Sequence, residues 1–255
     1  MDLGLNGAKA VISGGSQGIG LAVAKALLSE GASVSIAARR KEGVDTAVKA
    51  LSPLGNVSGY VCDVSDYDAT VKWMQDAAEA MGGIDIVVHN ATASGQPGPG
   101  TEAWTNNFNI DVLGMVGMSE GALPFLEASD KAVLIQIASI TGFEHHDVPI
   151  SASYGAMKAA SIRHMAQIAQ QWGDRGIRAN SVAPGPIMIE GGAWDQIKEH
   201  ATALYERDRD WHPSKRMGTA EEVARVVAFL ASPAASWVSG ATVRVDGAFT
   251  RGVDF

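Results

Sequence analysis

The sequence predicts a doubly wound α/β fold on a parallel sheet, and three observations carry that reading. Short β-type runs alternate with helical patterns from one end of the 255 residues to the other. The early β-type runs are apolar on both faces, as strands covered by helices on both sides of a sheet must be. The first run passes directly into a glycine-rich turn that opens a helix, at the strand end where such sheets bind ligands.

Strands are read at 10–13, 33–37, 57–62, 85–89, 132–138, 178–183 and 242–245. Helix-compatible apolar spacing covers 18–30, 43–51, 67–81, 104–126, 153–172, a less regular 192–207, and 221–231. No repeat, charge block or linker interrupts the series. One domain over 1–255 is therefore expected, since α/β folds reach about 250 residues as a single unit. The irregular segments 92–100, 142–151 and 186–213 all follow strand ends, so a site is sought there.

Composition narrows the function classes. With 46% hydrophobic and 19% charged residues, the chain has apolar surface for a substantial core, which excludes a disordered protein. Its 28 acidic and 20 basic residues leave a net charge of −8, which argues against nucleic acid or an anionic membrane as partner. No apolar run approaches the roughly 18 to 20 residues of a membrane span, and the first residues lack the roughly 7 to 15 apolar residues of a signal peptide. Cys62 is the single cysteine. An internal disulfide is thus impossible, and with no CxxC, Cys/His cluster or acidic pair at ligand spacing no metal is expected. Together these features predict a soluble, cytoplasmic protein.

After the first strand comes Gly14-Gly15-Ser16-Gln17-Gly18-Ile19-Gly20. Glycines 14, 18 and 20 permit positive φ and close backbone approach, and the adjoining helix offers unpaired N–H groups and partial positive charge to a pyrophosphate. Ser16, Gln17 and Ile19 complete the expected cofactor turn. The spacing is GxxxGxG rather than GxGxxG, so a tight, closely packed turn is the plainer alternative. The second strand ends Ala37-Ala38-Arg39-Arg40, where dinucleotide folds that hold a free ribose 2′-OH place a carboxylate. Two guanidiniums there favour NADP(H) over NAD(H); the alternative is a solvated loop. Asp63 is a candidate for the adenine edge, with Val64 beside it.

In chain order, Gly14-x-x-x-Gly18-Ile19-Gly20, His89-Asn90-Ala91, Ser139, Tyr154-x-x-x-Lys158 and Pro184-Gly185 resemble the short-chain dehydrogenases/reductases over nearly the entire chain. The resemblance implies a single Rossmann-type domain with a seven-stranded parallel sheet, usually a homotetramer, that moves a hydride between a nicotinamide and a carbonyl or alcohol. It also implies that Asn90 and Ala91 border the adenosine and nicotinamide ribose, that Lys158 grips the nicotinamide ribose, and that Pro184, Gly185 and the Ile187 backbone serve the nicotinamide end.

The spacing has its own chemistry. Four residues apart on a helix, Tyr154 and Lys158 share one face. A phenol ordinarily titrates near pH 10, and a neighbouring cation favours its ionised form, which suits Tyr154 to acid/base work. Ser139, at the end of the fifth strand, is expected to donate a hydrogen bond to the substrate oxygen. The bland alternative is a surface tyrosine, a solvated lysine and a turn serine.

Three positions depart from the family pattern. Asp111-Val112-Leu113-Gly114 stands where N-x-x-G is common. The family's asparagine helps hold a water near the lysine; Asp111 is expected to keep that water and raise the pKa of Lys158, forming a tetrad with Ser139, Tyr154 and Lys158. Asn109 is the rival alignment, but two positions away it faces nearly the opposite side. His89 replaces an asparagine and is read as structural. Ile189 replaces a threonine whose hydroxyl meets the nicotinamide amide or pyrophosphate.

Among other residues, His145 and His146 fall in a loop that the family places over the substrate, and they contact either substrate or solvent. Trp194, Tyr205, Trp211 and His212 lie in 186–213, the family's mobile lid. They suit a ring-bearing apolar substrate, or equally packing against the sheet or a neighbour. Glu190, Asp195 and Glu199 read as a solvated face. Met115, Met118, Met157 and Met165 read as core or interface filler. Spare apolar faces on 104–126 and 153–172 point to an isologous helix interface; the family resemblance implies a homotetramer, with a dimer as the alternative.

The expected function is an NADP(H)-dependent oxidoreductase interconverting a secondary alcohol and a ketone, preferably small and apolar or ring-bearing. Within the family the chain resembles 3-oxoacyl-carrier-protein reductases and hydroxysteroid or other alcohol dehydrogenases. One alternative is a reductase of acyl-CoA or acyl-carrier-protein thioesters, of 3-oxoacyl or enoyl type. Another is a non-catalytic NADP-binding regulator.

Overall fold

Nearly all the apolar strand residues are sealed on both faces of one sheet. The structure, a computed structural model, describes residues 3–93, 100–145 and 152–252. Its strands are β1 (Lys9–Ser13), β2 (Ser33–Ala38), β3 (Val57–Val61), β4 (Ile86–His89), β5 (Val133–Ile137), β6 (Arg178–Pro184), β7 (Ile187–Met188), β8 (Gly218–Thr219) and β9 (Thr242–Val245). Seven form a parallel sheet in the order β3-β2-β1-β4-β5-β6-β9, while β7 and β8 pair separately. The order reverses between β1 and β4, where Ile12 pairs with Val88, so the crevice of a doubly wound sheet opens above their carboxyl ends. The predicted fold class and strand positions hold to within one residue at each end.

Successive side chains on a strand point to opposite faces. Ile12, Ile36 and Ile135 therefore pack with Val23 and Leu27 of α1 (Gly18–Ser29), Leu51 of α2 (Lys41–Leu51) and Val223 and Val227 of α9 (Ala220–Ala231). Val11, Val87 and Leu134 pack on the other face with Met74 of α3 (Tyr67–Met81), Met118 and Leu126 of α5 (Gly114–Leu126) and Met165 of α6 (Ala152–Trp172). Each such fully buried side chain contributes about 1.5 to 3 kcal/mol. The edge strands are less completely covered: Val61 at the end of β3 is 59% exposed, although Val44 and Val48 of α2 pack over Gly59, and the residues of β9 are half-buried.

Two helical segments differ from their sequence pattern. The stretch 104–126 is not one α-helix: α4 (Thr101–Asn107) runs into a wider π-helical segment, Phe108–Leu113, before α5 begins. The inserted residue shifts the register of α5 against α4, and periodicity read at 3.6 residues per turn does not register it. Gly114, the first residue of α5, lies so close to Val64 that a Cβ there would stand 3.0 Å from it. The stretch 192–207 divides at Ala201 into α7 (Ala193–His200) and α8 (Thr202–Trp211). Among the described residues, no helix is long and apolar enough to cross a membrane.

Candidate active site

A cleft of about 760 Å³ opens above the carboxyl ends of the central strands. Its floor at one end is the β1–α1 turn. Gly14 and Gly18 have φ of +63° and +56°, the left-handed region that favours glycine. A Cβ on Gly20 would collide with the Gly14 carbonyl oxygen, so the turn closes only without a side chain there. Asn90 fastens the turn to β4: its side-chain amide donates to the carbonyls of Ser13 and Gly14, each at 3.1 Å. No side chain caps the N-terminus of α1. Its first N–H groups are thus left for an anion.

Gly14, Ser16, Gln17, Gly18 and Ile19 line the cleft, as do Arg39 and Arg40, Asp63 and Val64, Asn90 and Ala91, and Pro184, Gly185 and Ile187. Gly20 lies beneath, as a packing residue. Both arginines are exposed. Asp63 accepts hydrogen bonds from the Ser65 amide and hydroxyl through Oδ1, which orients its carboxylate at the wall. Cys62 also lines the cleft, and burial pushes its thiol pKa up. Ile189, in place of the family's threonine, sits over the turn, 3.3 Å from where a Gly18 Cβ would be.

Ser139, Tyr154 and Lys158 line the other end. The Lys158 Nζ lies 5.4 Å from the Tyr154 ring centroid. Lys158 is 1% exposed and Asp111 fully buried, and their charged atoms meet at 2.8 Å. This contact is direct, carboxylate to ammonium. The π-helical segment carries Asp111 inward, since it lies at positions 108–113. Burial opposes ionisation of both groups, but their mutual attraction outweighs it: Lys158 is held above the usual lysine range and Asp111 below the usual carboxylate range. Thr92 and the Ala93 amide also hydrogen-bond the Asp111 carboxylate. Asn109 is only half-buried.

Lys158 Nζ also donates to the Ile137 carbonyl at 3.0 Å, and that carbonyl accepts from Gln136 Nε2 at 3.1 Å. Gln136 Oε1 in turn meets Nδ1 of His89 at 2.9 Å. A buried polar chain therefore runs from β4 to the lysine. Burial, reinforced by the Lys158 charge, lowers the His89 pKa to about 4. His89 is thus a neutral group that supports the site from within the fold.

Thr92, Gln136 and Thr141 belong to this site and were missed by sequence reasoning. None stands in a spacing motif; only the position of Thr141 two residues after Ser139 gave a local signal. Of Trp194, Tyr205, Trp211 and His212, Trp194 alone is among the cleft-lining residues. Trp211 Nε1 donates to the Phe249 carbonyl, His212 packs on the Phe249 ring at 4.7 Å, and Tyr205 lies under Lys198 and Arg209. Glu190 lines the cleft, and Asp195 accepts from the Gly191 amide. Met115, Met118 and Met165 are core. His145 is exposed; His146 lies outside the described residues. No group of three or more potential metal ligands occurs among the described residues.

A family model described as enoyl-(acyl carrier protein) reductase matches residues 14–250. The chain is a short-chain dehydrogenase/reductase. It is similar to isoepoxydon dehydrogenase patN of Penicillium expansum, 38% identical over 99% of this chain and 98% of that protein. It is also similar to cis-4-hydroxycyclohexanecarboxylate dehydrogenase of Sinomonas cyclohexanicum, 34% identical over 94% and 96%. Among solved structures, L-sorbose reductase from Gluconobacter frateurii, complexed with NADPH and L-sorbose, superposes with a TM-score of 0.91. It is 27% identical and covers 99% of this chain and all of that one.

Proposed function

We propose that the protein is an NADP(H)-dependent oxidoreductase that interconverts a secondary alcohol and a ketone. The observation that carries this reading is the convergence of Ser139, Tyr154 and the buried Lys158 on a cleft whose far end is the glycine turn. The residues present fit NADP(H). The uncapped helix end and side-chain-free turn suit the pyrophosphate, and Arg39 and Arg40 suit the 2′-phosphate. The nicotinamide, when bound, supplies or accepts the hydride. In reduction, the Tyr154 hydroxyl gives its proton to the substrate oxygen while Ser139 donates a hydrogen bond to that oxygen. Lys158, fixed by Asp111 and the Ile137 carbonyl, keeps a positive charge beside the phenol.

The substrate is a small ring-bearing alcohol or ketone. Trp194 and Ile197 give the cleft an apolar wall, and one relative is named for a hydroxycyclohexane substrate. A second reading, reduction of acyl thioesters, is favoured by the description of the matching family model. Segment 186–213 serves as the substrate lid of a single domain spanning 1–255. The assembly is a homotetramer, supported by the exposed Trp104, Phe108 and Leu113 and by Trp237 at 99% exposure. The buried, unbridged Cys62 suits a cytoplasmic location.

A panel of cyclic ketones, alcohols and acyl thioesters, followed by absorbance of reduced nicotinamide, tests the reading. Turnover of cyclic ketones with a loss of about 100-fold or more in Tyr154→Phe is expected. Tight NADPH binding without turnover of any panel member indicates a regulator instead. Arg39→Ala is expected to lower the NADPH-to-NADH efficiency ratio about tenfold, which is about 1.4 kcal/mol; an unchanged ratio removes the arginine from cofactor choice.

A further inference from the structure

A hydroxyl group has one proton to donate and two lone pairs to accept with. At Ser139 the accepting side is taken up locally. The Thr141 amide donates to Ser139 Oγ at 3.2 Å, and Thr141 Oγ1 donates to the same atom at 2.9 Å. With both lone pairs engaged, what Ser139 has left to offer is its proton.

The turn that carries Thr141 is seated directly on the helix that carries Tyr154 and Lys158. A Cβ at Gly155 would stand 2.7 Å from the Thr141 carbonyl oxygen. A Cβ at Gly142 would stand 3.1 Å from the Ala159 nitrogen and 3.2 Å from the Lys158 carbonyl carbon. Backbone meets backbone on either side of Thr141, next to Tyr154 on one side and at Lys158 on the other. Side chains at these two glycines would hold the turn off α6. Thr141 itself lines the cleft.

We infer that Thr141 is a positioning residue for ketone reduction, one that makes Ser139 a donor-only group and fixes its distance to Tyr154 through the Thr141–Gly155 contact. This inference rests on the reductase reading above. The substrate oxygen gains charge as reduction proceeds, and a hydroxyl free to rotate into an accepting orientation would oppose that charge. With the two bonds from Thr141 in place, that orientation is blocked before substrate arrives.

The test is a double-mutant cycle on the ketone that the wild type reduces fastest. Thr141→Val keeps the shape and removes Oγ1–H, and kcat is expected to fall about tenfold with the NADPH dissociation constant unchanged. Thr141→Ser restores the donor and is expected to recover most of that loss. In a Ser139→Ala background, Thr141→Val is expected to change kcat less than about twofold, because the hydroxyl it orients is gone. Equal losses in both backgrounds, failure of Thr141→Ser to recover activity, or wild-type kcat in Thr141→Val would each overturn the inference. A folding defect in Thr141→Val would appear as lost NADPH binding, and the Thr141→Ser measurement then decides. An inactive wild type defeats the reductase reading and this inference together; an active wild type with an unaffected Thr141→Val defeats this inference alone.

Discussion

At the β1–α1 turn the cleft wall is bare backbone, shaped by glycines at positive φ and tied down by an amide from Asn90. At the other end, around Lys158, the wall is built from charge: a fully buried carboxylate, a buried ammonium and a chain of side-chain and carbonyl bonds reaching His89. The first end gains its form by leaving atoms out, and an added side chain strains it. The second puts ionised groups where water does not reach, and it tolerates no subtraction. Removing one partner of a buried pair leaves the other charge unmet, whereas adding a methyl group to a tight turn costs only local strain.

Substitutions at the two ends should separate these behaviours. The largest effect is expected at Asp111. Asp111→Leu strands the Lys158 ammonium in the interior and should cost about 3 to 5 kcal/mol in urea unfolding. Asp111→Asn keeps the polar shape but removes the charge that raises Lys158. The ammonium then loses its proton at lower pH, so the alkaline limb of the kcat profile should move down. Identical profiles for the two proteins would mean that the carboxylate charge has no role in turnover.

A somewhat smaller effect is expected at His89, at the far end of the same polar chain. An unfolded histidine titrates near 6.5, and in the fold His89 is lowered to about 4 by burial and then by Lys158, against the opposing pull of Asp111 and Gln136. Between those values the unfolded chain binds a proton that the native state does not. Stability contributed by the neutral ring is therefore present above about pH 6.5 and lost as pH falls toward 4, to a total of about 3 kcal/mol. Unfolding free energies of wild type and His89→Asn, measured in urea from pH 7 to pH 4, should diverge by that amount. Parallel curves would show that the histidine is not the acid-sensitive element.

The smallest stability effect belongs to the glycine turn. Gly14→Ala forces an L side chain to φ near +63° and sets its Cβ 2.8 Å from Asn90 Nδ2. The expected loss is about 1 to 2 kcal/mol. NADPH affinity, followed by fluorescence titration, should fall about tenfold or more, because the backbone that shapes the anion site has moved. A stability loss as large as that of Asp111→Leu would break the contrast between the two ends.

Legibility tracked the range of the interaction. The strands and most helices stand in the amino-acid order because burial at period 2 or 3.6 is a local property, repeated within one element. The glycine turn and Tyr154-x-x-x-Lys158 are local in the same sense: one is a run of backbone requirements, the other a single helical repeat. The π-helical segment at 108–113 escaped because its signal is one extra residue, which leaves the apolar spacing nearly intact. Asp111 could be aligned with the family's asparagine, but alignment does not say that its carboxylate meets the Lys158 ammonium directly.

The sequence by itself determined the α/β class, the parallel order of burial, the uncapped glycine-rich helix entrance and the pairing of a phenol with an amine one turn away. Tertiary structure alone decided that Asp111 touches Lys158 directly, that Thr141 rather than solvent occupies the Ser139 lone pairs, and that Trp194 faces the cleft while Trp211 and His212 pack on Phe249. The physical reason is that each of these contacts joins atoms whose separation depends on how whole elements dock. Docking is set by the summed packing of both faces of the sheet, and no short window of residues contains it.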